Sequence, residues 1–192
     1  MSRINILKAF ETPPPEQDFI WPGFLSGTVG AMVAPGSTGK SMFALQLACA
    51  VASCEPGANT TGLHIERHGE VLYINLEDPP GEIERRLHAL GSRFDLLTRE
   101  SIAKNLGVAA RVGIPADLMT EKFMRMMLKA GDGKRLIIVD TLSRAHGLDE
   151  NDNGAMAQLV ARLEMIVRKT GASLLYLHHT SKAAALGGQG NM

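Results

Sequence analysis

The sequence predicts an α/β fold, a mostly parallel sheet flanked by helices, and three observations predict it. Apolar runs of strand length recur at residues 28–33, 71–76, 136–139 and 173–177. Segments of helical spacing lie between them, and that alternation gives parallel strands joined by crossover helices. Each run also ends on residues able to do chemistry: the turn at 34–41, Glu77, Asp140, and His178 with His179. In parallel sheets ligands bind at the carboxyl ends of the strands, so these groups are expected to converge.

The 192 residues, 45% hydrophobic and 21% charged, suit one globular domain with a substantial core. Twenty basic residues balance twenty acidic ones, which argues against a surface built wholly to grip nucleic acid. It leaves room for a local basic groove or a ring with unlike inner and outer faces. Cys49 and Cys54 lack a His at metal spacing and read as small core residues of a reducing compartment. The sequence shows no apolar run of membrane-spanning length and no charged region followed by an apolar one at its start. The expected setting is the cytoplasm, with no membrane partner.

Residues 1–27 read as an arm and a linker, and 28–192 as the α/β domain. In the arm Ile4, Ile6, Leu7 and Phe10 form a short apolar face, which Pro13, Pro14 and Pro15 end and stiffen. It packs either on its own domain or on a neighbouring subunit. Trp21 is expected over the base of the strand-end site or in the core. Residues 42–52 are apolar all round, the pattern of a buried helix. A loop follows at 55–68, then helices at 82–90 and 92–106, a weaker strand at 106–112, and a helix at 116–129. The methionines of that last helix read as core filling. Lys134 and Arg135 read as solvated. Met156, Leu159, Val160, Leu163, Ile166 and Val167 give the most regular helical spacing, with Gly171 placed as its C-terminal cap.

The stretch 34–41, APGSTGKS, carries the sharpest chemistry. A strand, a Gly-rich turn and an apolar helix opening on Lys-Ser is the setting of a phosphate-binding loop. Backbone amides of Pro35-Gly36-Ser37-Thr38-Gly39-Lys40-Ser41-Met42 and the helix N-terminus are expected to cradle anionic phosphates, Pro35 contributing shape rather than an N–H. Lys40 is expected to reach the β- and γ-phosphates of ATP, and the Ser41 hydroxyl to ligate Mg²⁺. Ala34 stands where the usual pattern has its first Gly, a mild deviation.

Asp140, delivered by the LIIV run, is the second candidate for the magnesium shell. Glu77 is the candidate general base for the attacking water. Its neighbour Asp78 competes for that role but precedes two prolines, where it fits a helix N-cap. His178 and His179 alternate along a strand end, so one of them faces the nucleotide. A γ-phosphate sensor and a pair of satisfied histidines both fit that spacing.

In order, APGSTGKS, NLEDPP, LIIVDT and LLYLHHTSK resemble the motifs of the RecA/DnaB-like ring ATPases. INILKAF, GTVGAMVAPG, RLHALG and VDTLSR extend the likeness across nearly the whole chain, toward the RepA-type replicative helicases of broad-host-range plasmids. The resemblance implies a RecA-like P-loop core, a homo-hexamer, and ATP hydrolysis coupled to DNA unwinding on single-stranded DNA. It implies Lys40 and Ser41 on phosphate and Mg²⁺, Glu77 in catalysis, Asp140 on the metal and His179 as the γ-phosphate sensor. The loops after Asp140 and after His179 correspond to the DNA-facing loops of such rings. In that family further strands follow, carrying an arginine finger, so the domain is expected to be incomplete at its C-terminal end. A non-motor ATP-binding regulatory or assembly protein is the alternative, suggested by neutral charge and the absent finger.

Overall fold

The computed structural model describes residues 3–180. Lys182 and the rest of the segment expected to face DNA after His179 lie outside the described residues. In chain order the elements are α1 (Ile6–Glu11), β1 (Phe19–Trp21), β2 (Phe24–Leu25), β3 (Val29–Pro35), α2 (Lys40–Ala52), β4 (Val71–Asn75), α3 (Pro80–Gly91), α4 (Leu96–Asn105), β5 (Leu106–Ala110), α5 (Glu121–Gly131), β6 (Leu136–Asp140), α6 (Asn153–Thr170) and β7 (Ser173–Thr180). Short 3₁₀ turns lie at Pro56–Ala58 and Leu142–Arg144.

Five strands form one sheet in the order β3-β7-β6-β4-β5, all neighbours parallel. The expected α/β class and parallel sheet are therefore observed. Side chains alternate between its faces, which divides the core in two. Tyr73, Leu136, Ile138, Leu175 and Leu177 pack with α2, α3 and α4. Ile74, Ile137, Val139 and Leu174 pack with α5 and α6 on the other face. The uniformly apolar α2 is sunk against the first face, with Ala44, Leu45, Leu47 and Ala48 buried. The amphipathic α6 turns Leu159, Leu163 and Ile166 inward. Asp152 accepts from the amides of Gly154 and Ala155 at its start, and Gly171 closes it with φ of 75°, as expected. Met127 is buried and Met119 and Met126 pack half-buried against the same core, so the methionine stripe does fill core.

Several local expectations are corrected. Helix α5 starts at Glu121 rather than 116, because Asp117 and Thr120 turn their side-chain oxygens onto the amides of Met119 and Phe123. α4 likewise waits for Leu96, after the Asp95 cap. Strand β7 runs through both histidines instead of ending before them. Cys49 is buried, with its thiol pushed up to about 11 by burial, but Cys54 is exposed. The arm does not pack on its own domain: Ile4, Ile6, Leu7 and Phe10 are all exposed.

Arg135 is not solvated either. It opens β6 at the amino end of the sheet and grips both Asp18 carboxylate oxygens. It also donates to the Ser26 hydroxyl and the Phe19 carbonyl. The β1–β2 hairpin is thereby fastened to the sheet, with Ile20 and Phe24 buried beneath α2. Trp21 joins this core, its ring 4.8 Å from that of Phe24, at the end of the sheet away from the strand-end site. Phe24 also explains Gly30: a Cβ there would lie 2.8 Å from the Phe24 ring. Lys134 is ion-paired with Glu70.

Candidate functional site

At the carboxyl end of the sheet β3 hands the chain to the turn before α2. Gly39 takes φ of 85°, a left-handed conformation that only glycine adopts without strain, and Ser37 also has positive φ at 60°. Gly36 has ordinary φ and open space around it, so Gly39 is the position that conformation reserves for glycine. A cavity of about 320 Å³ opens over this turn. Ser37, Thr38, Gly39, Lys40, Ser41 and Met42 line it from the loop, and Glu77, Asp78, Arg86 and His179 from the opposite side. Pro35 and Gly36 do not line the cavity. The Pro35 carbonyl instead accepts from Lys40 Nζ at 2.7 Å, as does that of Ala34. Lys40 is 7% exposed, so its ammonium is held at the cavity floor, where phosphate oxygens would compete with these carbonyls.

Strand periodicity decides which groups reach this side. Leu175 and Leu177 face α2, so His179 does too, and His178 points to the other face. His179 Nε2 lies 3.3 Å from Glu77 Oε2, joining the ends of β7 and β4 above the loop. On β6 the face of Leu136 and Ile138 continues to Asp140, paired in register with Asn75 of β4.

Asp140 is fully buried beneath the cavity rather than in its wall. Its Oδ2 accepts the Tyr73 hydroxyl at 2.5 Å and faces Asn75 Nδ2 at 3.5 Å. Oδ1 has no partner among the described residues. Burial raises its pKa, against hydrogen bonding from Tyr73 and Ser41, with Glu77 and Asp78 adding to the rise. A buried carboxylate with one oxygen orphaned and the Ser41 hydroxyl beside it has the donor chemistry of a divalent-cation site. These residues therefore fit Mg²⁺. Tyr73 itself is pushed well above the ordinary phenol range, by burial first and Asp140 second, so it stays a donor.

Asp78 does not cap α3. The cap position is Pro79, and Asp78 pairs instead with Arg86 at 2.8 Å. Glu82 holds the same guanidinium at 3.3 Å. Sequence reasoning missed Arg86 as a wall of the site. Its only local signal was its place two turns along the helix that follows Glu77 and Asp78. Tyr73 was missed because inside an apolar strand it reads as core.

The AAA domain family matches residues 4–185, nearly the full chain. The chain belongs to that family. With the loop geometry above, this makes it a P-loop ATPase domain, an ATP-binding and ATP-hydrolysing unit of RecA-like α/β architecture. No helix of the described residues is long and apolar enough to cross a membrane.

Proposed function

We propose that this AAA domain is the ATP-driven motor domain of a ring-shaped replicative DNA helicase of the RepA type, working on single-stranded DNA as a homo-hexamer. The observation that carries the reading is the contact of Glu77 with His179 at the mouth of the loop cavity. It ties a carboxylate suited to a base to the strand whose continuation corresponds to a DNA-facing loop. Support also comes from the ordered likeness of APGSTGKS, NLEDPP, LIIVDT and LLYLHHTSK to that family.

In this mechanism the amides of 36–42 and Lys40 bind the triphosphate, and Ser41 with Asp140 would hold Mg²⁺, which supplies charge neutralisation between the phosphates. Tyr73 and Asn75 orient the Asp140 carboxylate. Glu77 holds the attacking water and takes its proton. His179, in contact with Glu77, reports the state of the γ-phosphate to the chain beyond β7. Arg86, already within the cavity, would offset developing negative charge.

The test is ATP turnover with and without single-stranded DNA, for wild type and Glu77→Gln. The motor reading expects DNA-stimulated turnover that Glu77→Gln loses while nucleotide binding persists. DNA-indifferent turnover from a monomer would instead favour an ATP-dependent switch, the reading to which zero net charge lends weight.

A further inference from the structure

A second cavity, of about 400 Å³, lies against the other side of Glu77. Leu76 and Glu77 after β4, Arg111 to Ala116 after β5, and Arg144 after β6 line it. Arg111 follows β5 on the face opposite α2, where its guanidinium sits 5.7 Å from the ring centre of Phe123 on α5. The nucleotide cavity and this one are thus on opposite faces of the sheet, with Glu77 as the shared wall.

The charges of this cavity are Arg111, Arg144 and Glu77. Among the described residues, neither guanidinium makes a side-chain hydrogen bond or ion pair, and Arg111 Nε is buried without a partner. The nearby acidic run does not neutralise them. Asp149 bonds to Asn151, Asp152 caps α6, and Glu150 lies 3.8 Å from His146. Glu77, the one carboxylate present, is turned toward His179. A half-buried guanidinium held over an aromatic face, with its terminal nitrogens unpaired, is suited to a phosphate.

We infer that Arg111 and Arg144 form a phosphodiester-binding subsite for the backbone of a single-stranded nucleic acid, sharing Glu77 with the nucleotide cavity. The inference rests on the motor reading for its ligand and adds the site. It also gives a short physical route between the two ligands. A phosphate seated on Arg111 and Arg144 acts electrostatically on Glu77, and so on its contact with His179. Strand occupancy would then bear directly on the proposed base, in addition to any effect through the segment after β7.

The test uses the full chain and a fluorescent oligothymidylate, with binding measured over a range of salt concentrations. Each phosphate contact on a single strand contributes about −0.7 to the slope of log affinity against log salt. Replacing both residues in Arg111→Met/Arg144→Gln is expected to flatten the slope by about 1.4 while leaving ATP affinity unchanged. Met keeps the apolar stem against Phe123. If that variant fails to fold, the exposed Arg144→Gln alone should flatten the slope by about 0.7. Wild-type binding with an unaltered slope in the variants overturns the site but not the motor reading. Absence of wild-type binding overturns both. Inorganic phosphate is titrated in parallel: binding that disappears in the variants while the oligonucleotide slope stays put makes this a free-phosphate site and overturns the assignment.

Discussion

Arg135 and Arg111 occupy opposite ends of the same sheet, and they are treated in opposite ways. At the amino end Arg135 makes four hydrogen bonds, to both Asp18 oxygens, Ser26 and Phe19. At the carboxyl end the Arg111 side chain makes none among the described residues, and Asp140 keeps one oxygen orphaned. Paired charge at one end fastens a hairpin. Underpaired charge at the other costs stability that only a ligand offsets. The chain thus separates its structural electrostatics from its functional electrostatics along the strand axis.

The sharpest way to break this contrast is at Lys40. Lys40→Ala is expected to lower ATP turnover by about 10²–10³-fold, the scale for losing one preorganised charge donor, with the fold intact by circular dichroism. Next is Asp140→Asn, which should abolish magnesium-dependent turnover and yet stabilise the ligand-free protein. Because burial raises the carboxyl pKa, ionised Asp140 destabilises the fold at neutral pH, and the penalty fades as pH falls through the folded value. Thermal midpoints without nucleotide or metal should therefore be higher for Asp140→Asn at pH 7, with the gap closing in acid. A midpoint below that of wild type would refute the contrast.

At the amino end Arg135→Gln is expected to cost about 1.5–3 kcal/mol in a denaturant titration, the range for hydrogen bonds to charged groups, and to leave turnover per folded molecule unchanged. Asp18 is held below the usual carboxylate range, mainly by Arg135, so this stability should be lost as pH falls through its folded pKa. The smallest effect is expected from Tyr73→Phe. Losing one hydrogen bond of about 1 kcal/mol should weaken magnesium activation about fivefold, read from the metal concentration at half-maximal turnover.

Much of this could be read along the chain. Strands β4 and β6 announce themselves as apolar runs, α6 by its spacing, and the loop before α2 by its glycines and Lys-Ser. Asp140, Glu77 and the His178–His179 pair were placed by the rule that polar groups at strand ends converge, and His179 was singled out by the resemblance to the ring ATPases. What escaped were pairings between distant positions. Arg135 finds Asp18 across 117 positions, and nothing local distinguishes it from a solvated arginine. Asp78 looked like a cap because the competing partner, Arg86, lies on the far side of the first helical turn. The start of α5 was misplaced because Asp117 and Thr120 prefer local turn bonds that apolar spacing does not register. Tyr73 and Arg111 became legible only once strand register assigned each to a face.

The strand order has a consequence for how such a chain is made. Among the described residues β3, which launches the phosphate-binding turn, is paired in the sheet with β7 alone, and the Gly27 amide closes onto the Ser173 hydroxyl 146 positions away. During synthesis, then, the turn leaves the ribosome early yet has no neighbouring strand until residues 173–180 have followed. Pairing of such high sequence separation is entropically slow. The fragment β4 to β6 can associate first, and β7 then inserts between β6 and β3. Competence to hold nucleotide is thus acquired only after β7 has emerged, and triphosphate capture would report that β7 has taken its place beside β3.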